Sequence, residues 1–308
     1  MDSLPHGTVA VSRPRGQVTP RTMQTRIVDI HPHIMAADTR RYPLAPLEGK
    51  RSVWSEKRHA TIDELIAAMD EAGVDKAAIV QSVSTHGHDN SYLADSVALH
   101  ARRVTGVFSL DMLAADAPEK IRYWVEERNL SGLRLYAGGP TLGRQLTWMS
   151  DPRTFPGWEC AAELGIPVSV TSRPEGLPQL MVLIKQFPRV RIIVDHMMEP
   201  PIAEGPPYAG SEVVFDLARY GNVYLNLDTI NIRNSRKGKG SPETFFPLLV
   251  KKFGASRIAW GSNYPGSEGT LKEMVNEAKS ALAALPEQDQ EWIFARTAQS
   301  LYPVLADK

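Results

Sequence analysis

The chain has 308 residues, 43% of them hydrophobic, which is enough to bury a large core. Lysine plus arginine and aspartate plus glutamate stand at 35 each, so the overall charge indicates neither a nucleic-acid nor a membrane-surface partner. No apolar run reaches the roughly 18 residues of a membrane span, and the one cysteine, Cys160, has no partner for an intramolecular disulfide, which fits a reducing cytoplasm.

Residues 1–26 mix Pro, Arg, Thr and Gly without apolar periodicity and without the apolar centre of a secretory signal. They read as a flexible tail, with an arm onto a neighbouring subunit of a homo-oligomer left open. From Ile27 to the end the sequence reads as one domain. Ile27-Val28-Asp29-Ile30 is the first strand-like run. Thr61 and Glu64 then form a capping box, Ile62, Leu65, Ile66 and Met69 follow at helical spacing, and Gly73 ends the helix. Ala77-Ala78-Ile79-Val80 is a strand suited to burial on both faces.

The alternation continues. A helix through Tyr92, Leu93 and Val97 precedes a strand over 104–110. Ile121, Trp124 and Val125 mark a helix ahead of Gly132-Leu133-Arg134-Leu135-Tyr136. Trp158 and Leu164 precede Pro167-Val168-Ser169-Val170, and Leu180, Met181 and Ile184 precede the run 191–196. Val214, Leu217 and Tyr220 precede the run 222–227, and Phe246, Leu249 and Phe253 precede Ile258-Ala259-Trp260-Gly261. Two helices, near 271–285 and 287–302, close the chain. Strict β–α alternation implies parallel strands with right-handed crossovers, and eight such units imply an α/β fold of the (β/α)8 TIM-barrel type. No glycine-rich phosphate fingerprint follows the first strand, which weakens a dinucleotide-binding reading.

Reactive groups in such barrels sit where strands end, so those positions are the places to look. The first strand ends Asp29-Ile30-His31-Pro32-His33, and residues two apart on a strand face one side, so His31 and His33 can converge on one ion. His196 ends the sixth run as a third metal ligand or a catalytic imidazole. Arg134, with Tyr136 two residues on and facing the same way, is shaped to hold a substrate carboxylate; Arg173 offers a second clamp. His86 and His88 follow the second strand and His88 is a substrate-contact candidate. Arg58 and His59 are placed to cover the mouth, and the basic, glycine-rich run 233–240 to form a lid.

The His-x-His after the first strand, Asp195-His196-Met197 after the sixth and Gly261-Ser262-Asn263-Tyr264-Pro265 after the eighth resemble the amidohydrolase-2 family. The group of 2-pyrone-4,6-dicarboxylate lactonase, sulfomuconolactone hydrolase and sugar lactonases is most similar, over about 27–301. The resemblance implies a hydrolytic site in which His31, His33 and His196 hold a metal or polarise a carbonyl. It implies an aspartate base after the eighth strand, where this chain has Asn263, and in many metal-bound members a histidine ligand where this chain has Thr171. An amide is no general base near neutral pH, so a single divalent ion, zinc or manganese, is expected in place of a binuclear centre, with a metal-independent mechanism also open. Asn263 then orients water or oxyanion. Asp228 is the first candidate for the replacement base, ahead of Glu199 and Glu268. The expected reaction is opening of a lactone of a carboxylated, anionic small molecule in the cytoplasm, against a metal-dependent decarboxylase or a non-catalytic binding barrel.

Overall fold

The computed structural model describes residues 26–139 and 142–306, so the tail expected over 1–26 lies almost wholly outside the described residues. Eight strands follow in chain order, each parallel to the next: β1 Val28–Asp29, β2 Lys76–Val80, β3 Val104–Ser109, β4 Gly132–Tyr136, β5 Val168–Thr171, β6 Ile192–Val194, β7 Val223–Asp228 and β8 Ile258–Gly261. The Ile30 N–H donates to the Trp260 carbonyl at 3.2 Å, drawing β1 against β8 to round off the (β/α)8 barrel.

Alternation along the strands divides the buried side chains into two sets. Leu133, Leu135, Val168, Val170 and Ile192 face out under the helices. Val107, Ile193 and Ala259 face in, where Leu301, Tyr302 and Leu305 from the C-terminal segment join them. A Cβ on Gly132 would come within 2.9 Å of the Tyr302 ring, so glycine opens β4 where that ring is seated.

The helix Ile62–Ala72 has the expected capping box and ends at Gly73 with φ 71°. Thr270 and Glu273 form a second box at the start of Leu271–Leu282. No helix among the described residues is long and apolar enough to cross a membrane.

Candidate active site

A cavity of about 500 Å³ opens at the C-terminal ends of the strands, and His33, Arg134, Tyr136, Thr171, His196 and Asn263 all reach it. These side chains come from, or directly follow, β1, β4, β5, β6 and β8.

The three imidazoles expected to converge do so. The His31 ring centroid lies 5.0 Å from that of His33 and 4.9 Å from that of His196. His33 Nδ1 donates to the Val80 carbonyl at 2.8 Å, leaving its Nε2 as an acceptor, and its ring stacks on Trp54 at 5.3 Å. Burial, followed by the Arg134 charge, lowers the His33 pKa to about 3, and burial likewise holds His31 well below the usual imidazole range. Both rings are neutral near pH 7.

His196 behaves in the opposite way. Its Nδ1 donates to Asp228 Oδ2 at 2.6 Å. Burial depresses its pKa, but the Asp228 carboxylate outweighs burial and the net shift is upward. The sequence places His196 at the end of a strand; the structure corrects this. β6 stops at Val194, and His196, Met197, Met198 and Glu199 have φ of 54°, 52°, 57° and 50°. Four successive left-handed residues cost roughly 1–2 kcal/mol each. Buried Met197 and Met198, and the Asn231 amide donating to the His196 carbonyl at 2.9 Å, hold the turn in place. The turn aims the imidazole across β7 at Asp228.

Asp228 is fully buried and does not line the cavity, so it is no direct base for a cavity water. Its other oxygen, Oδ1, accepts the Asn231 N–H at 3.0 Å and caps the helix Thr229–Asn234. One carboxylate therefore orients the histidine and starts a helix. Asn263, with φ 57°, lines the cavity and donates to Ser267 Oγ at 3.1 Å.

Arg134 is 4% exposed. Its guanidinium donates to Gln81 O, Thr171 Oγ1 and Asp195 Oδ2 at 3.2–3.3 Å and lies 5.1 Å from the Tyr136 ring centroid. Asp195 is the hub beneath it: it also accepts from Ser169 and, at 2.6 Å, from Thr171, while His31 Nδ1 stands 3.6 Å away. Thr171 thus supports a carboxylate. Asp195 was given no role by sequence reasoning, although it stands inside the Asp-His-Met mark; nor were Trp54 and Asn226, which no periodicity singles out.

The metal expectation turns on the same three rings. Among the described residues no three His, Cys, Asp or Glu side chains are arranged to hold an ion. The Asn226 amide nitrogen lies 2.7 Å from His31 Nδ1, and donation there puts the ring proton on Nε2, a donor and not a ligand. In that tautomer His33 and His196 keep a free ring nitrogen.

Other expected contact residues line adjoining spaces or lie apart from the main cavity. Arg173 lines an adjoining cavity of about 190 Å³, which Thr171, His196 and Glu199 share with the main one, and pairs with Glu175 at 3.7 Å. His88 bonds Ser109 Oγ at 3.1 Å beside a third cavity, and His86 is buried between Pro43 O and Ala36 N. The basic run forms no lid: Arg233 is tied to Glu277 at 2.8 Å, and Arg236 reaches Ser280. Arg58 does cross the mouth, donating to Pro265 O and Gly266 O. Glu199 and Glu268 line the cavity, the latter paired with Arg58 at 3.4 Å.

Eight parallel strands with imidazoles gathered at their C-terminal rim define a TIM-barrel enzyme of the amidohydrolase type. The family model described as Amidohydrolase matches residues 28–304, and the chain belongs to that family. It is 28% identical over 246 residues to L-fucono-1,5-lactonase from Burkholderia ambifaria, covering 78% of this chain and 80% of that protein. A putative 2-pyrone-4,6-dicarboxylic acid hydrolase from Pseudomonas putida superposes with TM-score 0.73 at 18% identity, over 92% of this chain and 100% of that one. A dihydroxybenzoic acid decarboxylase from Polaromonas sp. JS666, crystallised with manganese and 2-nitroresorcinol, superposes with TM-score 0.66 at 17% identity, over 92% and 98%.

Proposed function

We propose that this protein hydrolyses a lactone of a small carboxylated molecule, using the His196–Asp228 pair in place of the base that its family carries after the eighth strand. The observation that carries the reading is the 2.6 Å hydrogen bond from His196 Nδ1 to buried Asp228, in a cavity that also holds the Arg134 guanidinium. With Nδ1–H committed to the carboxylate, Nε2 keeps its lone pair for a water proton.

The water oxygen attacks the lactone carbonyl carbon as its proton passes to His196 Nε2. Asn263, unable to take a proton, orients that water. The tetrahedral intermediate collapses by breaking the ring carbon–oxygen bond, and His196 returns the proton to the departing oxygen. A hydroxy acid is released. Arg134 holds the substrate carboxylate and Tyr136 lies against the ring. The fuconolactonase relative supports a lactone as substrate, and the anionic class rests on Arg51, Arg58 and Arg134 lining one cavity.

A divalent ion, zinc or manganese, bound by His31, His33 and His196, is the competing reading. One observation favours it: His31 Nε2 and Asn226 Oδ1 are both buried without a partner. A half-turn of the Asn226 amide lets Oδ1 accept from His31 Nδ1–H and leaves Nε2 free as a ligand. Such an ion would polarise the carbonyl.

The test is hydrolysis of a panel of aldonolactones, carboxylated γ-lactones and 2-pyrone-4,6-dicarboxylate, followed by acid release, with metal content measured on the same protein. Acid release matched to ring opening is expected, and its loss in His196→Gln. Carbon dioxide release from hydroxybenzoates without lactone turnover would overturn the proposal in favour of a decarboxylase.

A further inference from the structure

A cavity of about 310 Å³ adjoins the site, with Tyr136 lining both spaces. Its walls are Leu47, Leu110, Met112, Leu113, Leu146 and Trp148. Leu110 and Met112 are buried, but Leu47, Leu113, Leu146 and Trp148 are only half-buried, so large apolar side chains face an open concavity. Exposed apolar surface gathered in a hollow marks a ligand site more often than one scattered over a convex face.

The polar groups there sharpen the reading. Glu48, His88 and Asp111 are present, and no lysine or arginine among the described residues lines the space. Glu48 is already paired with Arg144 at 2.7 Å, and His88 with Ser109. The main cavity, by contrast, has three arginines against two glutamates, Glu199 and Glu268. Charge therefore divides at Tyr136, with a cationic chamber on one side and an apolar one without a cation on the other. The ring is fixed between them: a Cβ at Gly139 would come within 2.5 Å of Tyr136 Oη, so the loop after β4 closes on the hydroxyl.

We propose that this annex receives an uncharged alkyl or aryl substituent of the substrate, so that the lactone is amphiphilic, with its carboxylate among the arginines and its apolar group beyond Tyr136. The idea rests on the lactonase reading for the substrate's reactive end, but not for the annex itself.

The experiment compares kcat/KM on 4-carboxy-γ-butyrolactone with its 5-methyl, 5-propyl and 5-phenyl derivatives. A buried methylene is worth roughly a fourfold gain, and a rise of about that size per carbon is expected in the wild type. Leu113→Trp, which fills the annex, and Leu146→Gln, which makes it polar, should flatten the series and leave turnover of the unsubstituted ring unchanged. A flat wild-type series with measurable turnover overturns the annex while the lactonase reading stands. If no lactone is opened, the lactonase reading fails, and calorimetric binding of the matching γ-lactams tests the annex alone. Affinity that rises with the substituent in the wild type and not in the variants supports it; equal affinity, or none, overturns it.

Discussion

Asp228→Asn tests the proposed base most directly, because the structure commits both carboxylate oxygens. Oδ2 accepts from His196 Nδ1 at 2.6 Å and Oδ1 accepts from the Asn231 N–H at 3.0 Å. Asparagine has a single acceptor oxygen, so it can serve one of these donors and not both. If the oxygen keeps the helix cap, the amide nitrogen donates to His196 Nδ1, moves the ring proton to Nε2 and removes the lone pair that takes the water proton. If the oxygen turns to His196, the cap is lost at a cost of about 1 kcal/mol, and the imidazole loses the negative charge that raises its basicity. General-base catalysis contributes typically 10²–10⁴-fold, so kcat/KM should fall by about that factor, with a stability loss on the order of 1 kcal/mol. The assay is initial rate on the best lactone by pH-stat, paired with urea unfolding. A variant within about threefold of wild type in kcat/KM, at unchanged stability, would refute the pairing as the source of the base.

Four other outcomes follow from the same geometry. Because neutral His196 is the active form and Asp228 raises its pKa above the ordinary 6.5, kcat/KM should climb with pH on an acid limb centred above 6.5, and that limb should move down in Asp228→Asn; a flat profile from about pH 5 to 8 contradicts it. The His33 pKa falls from 6.5 unfolded to about 3 folded, so its neutral form stabilises the fold fully above 6.5 and loses that contribution as pH falls towards 3. Asp29, raised from 3.8 to about 6, opposes this across that narrower window; the slope of about 1.4 kcal/mol per pH unit is therefore read as the difference in urea stability between wild type and His33→Gln. Arg134→Met should cost roughly 3–5 kcal/mol by leaving buried Asp195 without its cation, whereas Arg134→Lys should retain most stability and show its loss in KM. Elemental analysis should find well below one equivalent of zinc or manganese, and dialysis against a chelator should leave kcat unchanged; stoichiometric metal that is lost in His31→Ala would move the site to the competing reading.

Much of the barrel is legible because its signals are local. Thr61 and Glu64 act within one helical turn, and each strand is a short apolar run between helical periodicities. The histidines of β1 are legible for the same reason: the His-x-His spacing alone sends both rings one way. The site beyond them is not local. His196 and Asp228 are 32 positions apart, and their contact depends on four left-handed residues, none of them glycine or asparagine. No turn signal exists in Met197-Met198 to announce that conformation. Asp228 could be read as either a cap or a functional carboxylate, and the fold uses it as a cap and as the histidine's partner. Arg173, His88 and the basic loop follow strands as the site residues do, but neighbouring cavities and local ion pairs take them.

Charge bears on the two departures at Asn263 and Thr171. The C-terminal end of the barrel holds three buried carboxylates, Asp29, Asp195 and Asp228, and one buried guanidinium, Arg134. The Asp228 carboxylate, and Asp195 after it, favour a proton on His196 against burial, and its pKa shifts upward. A further carboxylate at 263 would add like charge at the same barrel mouth, which opposes its ionisation. Arg134 also lowers the pKa of both His31 and His33. An amide at 263 and a hydroxyl at 171 suit a site whose fixed positive charge is an arginine. On the proposed mechanism, the movable charge is the proton that His196 takes from water.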